Sequence, residues 1–504
     1  MGPCLTEAGL AALPTSVLRP AYDRSALELG IVHLGVGNFH RAHQAACTDQ
    51  VLSEDPRWGI AGVSLRHADM RDALAPQQGL YALVEEGSTD AARVRVIGAL
   101  RELQVAPAEP HAVVRRLADS ATRIVSLTVT EKGYCRTPAG ALDRLDAAIV
   151  ADLRSSARPS SMLGFLHAAC AARQAAGLPG FTVLSCDNLA SNGDMTRALL
   201  LEFVDAVAAA RPAGASGTAL ARWIEREVAF PNSMVDRIVP HTTDELRDRV
   251  QGLLGVRDRW PVATESFSQW VLEDRFAAGR PPWQWAGVQF VSDVGPHEVM
   301  KLRLLNAAHS AIAYLAVPAD LATVDAAVAQ PAVRAFIHRF WRDEAIAALP
   351  AASQPGAQTY CQALMTRFEN PALAHRTAQI ALDGSQKLPL RVLPTLRERL
   401  HGGACIGACA LVIAAWIRFL AGRTESGRAY DIGDPMLEAL RRALSTSDGS
   451  AAGEAVAVLT LPGLFGADLA DHSGLCAAVA HQLDGLRRFG TIGWLTGWQA
   501  GRTA

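Results

Sequence analysis

The chain has 504 residues, half of them hydrophobic, with 48 lysines and arginines against 50 aspartates and glutamates for a formal net charge of −2. That is material for two or three domains with buried cores, and it excludes a global field that would recruit nucleic acid or an anionic membrane surface. The nine cysteines are scattered and never form a CxxC pair, which fits a reducing compartment, argues against a structural zinc site and leaves a small molecule as the expected partner.

The opening MGPCLTEAGLAALP lacks a basic stretch ahead of an apolar one, so no secretory leader is predicted and the cytoplasm is the expected location. Ile31-Val32-His33-Leu34 is a predicted strand running into Gly35-Val36-Gly37-Asn38-Phe39-His40 and then the helical RAHQAACTDQVL. A strand, a glycine turn and a helix start bring backbone N–H groups and a helix N-terminus to a pyrophosphate, which is the context of a dinucleotide site. His40 stands where the usual GxGxxG fingerprint has its last glycine, so an ordinary strand-to-helix turn stays open beside that reading. His40 and His43 have no Asp, Glu or Cys cluster with them, and no metal site is predicted.

A second strand over 58–65 leads to Arg66 and Asp69. An acid after the second strand is where a ribose diol is gripped in an NAD-type fold, whereas Arg66 suits an extra phosphate, so NAD is favoured with NADP open; Asp69 as a simple helix cap is the alternative. Strands over 123–129 and 181–186 end at Thr130-Glu131 and at Asp187-Asn188. Polar residues past the carboxyl ends of parallel strands are where open α/β sheets bind ligands, which makes Thr130, Glu131 and Asn188 candidates as a group. Helices predicted over 139–153 and 162–176 complete the alternation of a doubly wound sheet. In Phe230 to Pro240 the one acid and one base, Asp236 and Arg237, form an ion pair by default, or meet the hydroxyls of a polyol.

Residues 293–316, DVGPHEVMKLRLLNAAHSAIAYLA, are predicted as one buried helix with Asp293 as a cap and Pro296 in its first turn. At 100° per residue Asn306 falls about 140° and His309 about 80° round from Lys301, so the three share one half of the cylinder. An amine, an amide and an imidazole in an apolar setting suit proton abstraction from an alcohol: the lysine as base, the other two on the oxygen. The alternative is a snorkelling lysine and satisfied core polar groups. From Asp325 onward the chain is predicted almost wholly helical, and its longest apolar run, Cys405 to Ile417, is too short to span a bilayer and suits a core helix, with Cys405 and Cys409 in the core. The predicted organisation is a dinucleotide-binding α/β domain over 1–296 and a mainly helical domain over 297–504.

Together, HLGVGNFHRAHQ (33–44), SLTVTEKGYC (126–135), SCDN (185–188), FPNSMVDRIVP (230–240), WVLEDRFAAGRPPW (270–283) and Lys301, Asn306 and His309 resemble the mannitol dehydrogenase family of polyol-specific dehydrogenases over nearly the whole chain. The resemblance implies a Rossmann-type N-terminal domain, a helical C-terminal domain, and metal-independent hydride transfer between NAD and a secondary alcohol. It implies that Lys301 is the general base, that Asn188 and Asn306 hydrogen-bond the reacting oxygen, that His309 orients substrate, and that Gly35, Gly37, Asn38, Phe39, Asp69, Thr130 and Glu131 serve the cofactor. Val235, Asp236, Gln379 and Lys387 match substrate-binding positions, and Glu298 and Glu131 match carboxylates of proton exchange with solvent. Gln379 stands where mannitol dehydrogenases carry an arginine. With TEKGY in place of TEGGY and HRTAQIALDGSQKLP (375–389), it is more similar to the fructuronate reductase (mannonate oxidoreductase) branch. A substrate carboxylate is then expected, paired with Lys132 or Arg376. Mannitol, arabinitol or sorbitol as substrate, or a dinucleotide-binding sensor without turnover, are the alternatives; a monomer or small homo-oligomer is expected.

Overall fold

Short runs of branched apolar residues build the first of the two units into which the chain divides, Met1–Gly295 and Pro296–Ala504. A computed structural model describes residues 3–87, 92–155, 158–210 and 217–499. The strands of the first unit are β1 Ile31–Leu34, β2 Ile60–Ser64, β3 Tyr81–Glu86, β4 Arg93–Ile97, β5 Leu100–Val105, β6 Ile124–Leu127, β7 Thr182–Ser185, β8 Ser233–Asp236, β9 Val262–Glu265, β10 Gln269–Glu273 and β11 Gln289–Val291.

Five of them form a parallel sheet in the order β5-β2-β1-β6-β7. Side chains along a strand alternate between faces, and here the two faces feed two cores. Val32, Leu34, Val63, Val125 and Leu127 join helices Pro110–Ala118, Met162–Ala175 and Asn192–Ala209 on one side, while Ile31, Ile60, Ile124 and Leu184 pack with Ala45, Met70 and Leu74 on the other. Burial on both faces is why β1, β2, β6 and β7 are mainly apolar rather than alternating, while the edge strand β5 carries Arg101, Glu102 and Gln104. The strand order reverses at β1, so the crevice beyond the carboxyl ends of β1 and β6 is the switch point of a doubly wound sheet. Two three-stranded sheets, β4-β3-β9 and β11-β10-β8, complete the unit.

The second unit is helical among the described residues. The apolar run from Cys405 becomes helix Gly407–Phe419, buried from Ala408 to Ile417. Cys405 itself is exposed, just ahead of the helix start, and only Cys409 has the predicted core position. No described helix is long and apolar enough to cross a membrane.

Three further predictions change. The helix expected from residue 139 starts at Ala147, where Asp146 accepts hydrogen bonds from Ala148 and Ile149. The helix after the glycine turn breaks at His43 into Asn38–Ala42 and Gln44–Asp49. The Asp236–Arg237 pair is not made. Adjacent side chains on an extended strand face opposite ways, and Arg237 instead pairs with Glu85 at 2.7 Å and donates to the carbonyls of Ala42 and Glu265.

Candidate functional site

At the end of β1 the chain turns on Gly35, whose φ of +100° and 2.1 Å approach of a notional Cβ to the Thr128 carbonyl oxygen leave no room for a side chain. Gly37 is different: a Cβ there meets nothing closer than 3.8 Å, so its bareness keeps space open above the turn. The departure at His40 is accommodated by stacking. Its imidazole lies 3.4 Å from that of His33 with the planes 7° apart, and both rings are fully buried. His33 bonds to Ser126 Oγ at 2.8 Å and Thr128 Oγ1 at 2.9 Å, while neither ring nitrogen of His40 has a partner. Burial pushes His33 down to about 3 and His40 well below the ordinary imidazole range.

A cavity of about 350 Å³ opens over this turn, lined among others by Gly35, Arg66, His67, Asp69, Thr130 and Trp260. Of the sequence candidates for the cofactor, Gly35, Asp69 and Thr130 line it. Gly37, Asn38 and Phe39 do not, although they belong to the adjoining turn and helix start. The Asn38 side chain is committed to Pro240 O, Thr242 Oγ1 and Arg41, and Phe39 stacks on His43. Glu131 is exposed and paired with Arg136. Thr130 is held at φ +64°, ψ 164°, a region that non-glycine residues avoid at a cost of about 1–3 kcal/mol. Asp187 secures it, its two carboxylate oxygens accepting from Val129 N and Thr130 N at 2.9 Å, with Tyr134 donating at 2.8 Å. Asp187 thus has a structural role that the sequence does not single out, and its neighbour Asn188, the sequence candidate, is exposed just past β7. Val235 and Asp236 are buried at the end of β8.

In the second unit, the stretch expected as one α-helix is three segments: α over Gly295–Met300, a π-turn over Lys301–Asn306, and α over Ala307–Ala316. The Asp293 carboxylate does accept from Gly295 N, at 2.8 Å. Ala307 N–H reaches back five residues to Leu302 O. A π-turn absorbs one extra residue, which removes about 100° of rotation. Asn306 then falls about 40° to one side of Lys301 and His309 about 20° to the other, so the three share an arc of about 60°. An unbroken α period would spread the three over about 140°. Glu298, half-buried, precedes Lys301 by one turn.

Two contacts brace the turn. Trp341 Nε1 donates to Leu304 O at 3.0 Å, and Arg391 Nη1 donates to Asn306 O at 3.3 Å and Ser310 Oγ at 3.1 Å. Trp341 also stacks on Phe368, which packs against His309 at 4.9 Å between centroids. Lys301 is 7% exposed. His309 is held well below its ordinary range by burial and by the surrounding His375, Arg367, Arg391 and Lys301, so its ring is neutral, and Nε2 has no hydrogen-bond partner. A neutral imidazole can donate to or accept from a hydroxyl.

Asn306 and His309 line a cavity of about 240 Å³ together with His375, Gln379, Lys387 and Arg391, with Ile380 its one aliphatic side chain. Gln379 and Lys387 are thus brought to the same space as Asn306 and His309. Arg376 is exposed and does not line it, and Lys132 is exposed in the first unit. Among the described residues no cluster of three or more His, Cys, Asp or Glu could hold a metal ion.

Comparison with known proteins covers both units. Residues 29–285 match the family described as the mannitol dehydrogenase Rossmann domain, and residues 293–487 match the mannitol dehydrogenase C-terminal domain. A mannitol 2-dehydrogenase of Phaeosphaeria nodorum is 41% identical over 485 residues, 94% of this chain and 82% of that one. A D-mannonate oxidoreductase of Escherichia coli is 41% identical over 476 residues, 93% of this chain and 96% of that one. The structure of Pseudomonas fluorescens mannitol 2-dehydrogenase in a ternary complex with NAD and D-mannitol superposes with a TM-score of 0.82 at 37% identity, covering 98% of this chain and 99% of that one.

Proposed function

This chain belongs to the mannitol dehydrogenase family of oxidoreductases, and on that premise we propose that it interconverts a secondary alcohol and a ketone of an open-chain sugar acid, D-mannonate and D-fructuronate, with NAD. The observation that supports this most is the π-turn, which gathers Lys301, Asn306 and His309 into one narrow arc. Cofactor fit rests on the first unit: a side-chain-free turn at Gly35 and Gly37 leads into a helix start, and Asp69 borders the cavity where a ribose diol is read. NAD, when bound there, supplies the hydride acceptor. NADP is the second possibility, favoured by Arg66 and His67 on the same wall.

In the proposed reaction, Lys301 takes the hydroxyl proton while the carbinol C–H leaves as hydride, so a ketone and one proton are produced for each NADH. Asn306 donates to the oxygen as negative charge develops, and the unpartnered Nε2 of His309 fixes the hydroxyl's orientation. Asn188 keeps the role the resemblance gives it, a donor to that oxygen, as Asp236 keeps that of a substrate-hydroxyl partner and Glu298 and Glu131 that of proton exchange. Gln379 and Lys387 contact the remainder of the substrate. Nine unpaired cysteines suit action in the cytoplasm on a free small molecule, as a monomer or small homo-oligomer.

D-mannitol as substrate is the second reading, motivated by the equal identity to a mannitol 2-dehydrogenase. The test is NADH formation with mannonate, altronate, mannitol, arabinitol and sorbitol, run with both cofactors. Mannonate should give the highest kcat/KM, and Lys301→Ala should lower kcat about 100-fold or more with cofactor binding retained. An undiminished rate in that variant removes the lysine from the reaction. Silence across the panel despite NADH binding points to a sensor.

A further inference from the structure

The lining of the second unit's cavity carries two cations and, among the described residues, no acid. Helix Gly384–Arg391 puts Lys387 and Arg391 one turn apart and hence on one face, and both line the cavity. Among the described residues Arg391 spends only Nη1, on Asn306 O and Ser310 Oγ; its Nε and Nη2 make no hydrogen bond there, and no described carboxylate lies within ion-pair distance. Lys387 Nζ donates to Ile380 O at 3.2 Å and likewise has no acidic partner in contact. The two nearby acids are elsewhere. Asp434 accepts from Ser385 N and Oγ, and the backbone carbonyl of Asp383 accepts from Lys387 N; the two carboxylates reach the Lys387 ammonium only through their fields, which raise it. The lining itself contains no aspartate or glutamate.

A half-buried cation with no ion-pair partner has lost part of its hydration, and a bound anion offsets that cost. Burial pulls both Lys387 and Arg391 below their ordinary ranges, and Arg391 depresses Lys387 further, against the fields of Asp383 and Asp434, which do not bring it back to its ordinary range. The free edge of a guanidinium is a planar fork that matches a carboxylate with two parallel hydrogen bonds. The position is also informative. The same guanidinium holds the backbone carbonyl of Asn306, so an anion at its free edge lies close to that residue.

We propose that Arg391, supported by Lys387, is a carboxylate-binding subsite that selects open-chain sugar acids over neutral polyols. This rests on the reading of the cavity as the substrate site given above, and it replaces Lys132 and Arg376 as the expected partners of the carboxylate. Gln379 fits the same scheme: a neutral amide on the wall leaves Arg391 and Lys387 to set the charge preference.

The test is calorimetric binding of mannonate and mannitol in the presence of NADH, where neither can react, for the wild type, Arg391→Gln and Arg391→Lys. Turnover of both with NAD is measured in parallel. The wild type should prefer mannonate. Arg391→Gln should lower the mannonate-to-mannitol affinity ratio on the order of 30-fold, and Arg391→Lys, which keeps the charge but loses the fork, should lower it less. Equal loss for both ligands in both variants means that Arg391 serves only to brace the π-turn, and overturns the subsite. Tighter, Arg391-dependent binding of mannitol 1-phosphate than of mannonate overturns the assignment to a carboxylate. Arg391-dependent mannonate binding without NADH formation upholds the subsite and sinks the dehydrogenase reading instead.

Discussion

The stacked imidazoles beneath the glycine turn make a quantitative prediction about acid stability. His40 is fully buried, bonded to nothing through either ring nitrogen, and held well below the ordinary imidazole range by burial and by its neighbours His33, Arg41 and His43. Its native form is therefore neutral throughout the weakly acidic range, whereas in the unfolded chain it titrates near 6.5. A group whose folded pKa is depressed contributes stability that is fully present above the unfolded pKa and is lost as pH falls toward the folded value. Between pH 7.5 and 5.5 the unfolded state gains nearly one proton at this site that the native state does not take up, which costs about 1.4 kcal/mol. His40→Phe keeps a ring against His33 and removes that proton. Urea unfolding of wild type and variant at pH 7.5, 6.5 and 5.5 isolates the difference, because every other titrating group is common to both. The variant should gain about 1.4 kcal/mol on the wild type over that interval. A difference that stays flat with pH, or grows in the wild type's favour, refutes the argument that His40 is a buried neutral group.

Two further outcomes follow from the site. Trp341→Phe removes the donor to Leu304 O and trims the ring that supports Phe368 and His309. It should lower kcat roughly tenfold while leaving NADH affinity within about twofold, since misplacement rather than binding is at stake; stopped-flow turnover and fluorescence titration check it, and an unchanged kcat refutes the bracing role. Gly35→Ala sets a Cβ against the Thr128 carbonyl at a positive φ, and should cost about 2–3 kcal/mol in stability and raise the Kd for NADH at least tenfold. Wild-type affinity in that variant would sink the assignment of the turn to the cofactor.

Four strands of the main parallel sheet, β1, β2, β6 and β7, were legible because they are buried on both faces and carry branched apolar runs ended by glycine or polar turns, as at Ile31–Leu34 and Ile124–Leu127. Ile31–Leu34 keeps its expected bounds, whereas β2, β6 and β7 are shorter than the runs that announce them, since pairing ends before apolarity does. The six strands β3–β5 and β9–β11 were not read at all. Arg93–Ile97 and Gln269–Glu273 mix charge with apolar residues, and pairing partners far apart in sequence decide them. Lys301, Asn306 and His309 could be picked out as polar groups in an apolar stretch, but the π-turn that draws them together has no signature in a 3.6-residue period. Arg391 looked like any other helix arginine; what sets it apart is the missing counter-ion, which only the surroundings reveal. Asp187 was invisible for the converse reason, a turn aspartate whose partners, Val129, Thr130 and Tyr134, lie more than fifty positions upstream.

The extra residue between Lys301 and Asn306 constrains how this chain can change. Deleting one position would heal the helix locally, yet everything beyond would swing by about 100°. Ala307, Ala308, Ala311, Ile312 and Leu315, each nearly free of solvent, would be driven out of register with the helices around them. Shortening is thus blocked from downstream, so the irregularity survives mutation for reasons of packing even where no chemistry demands it.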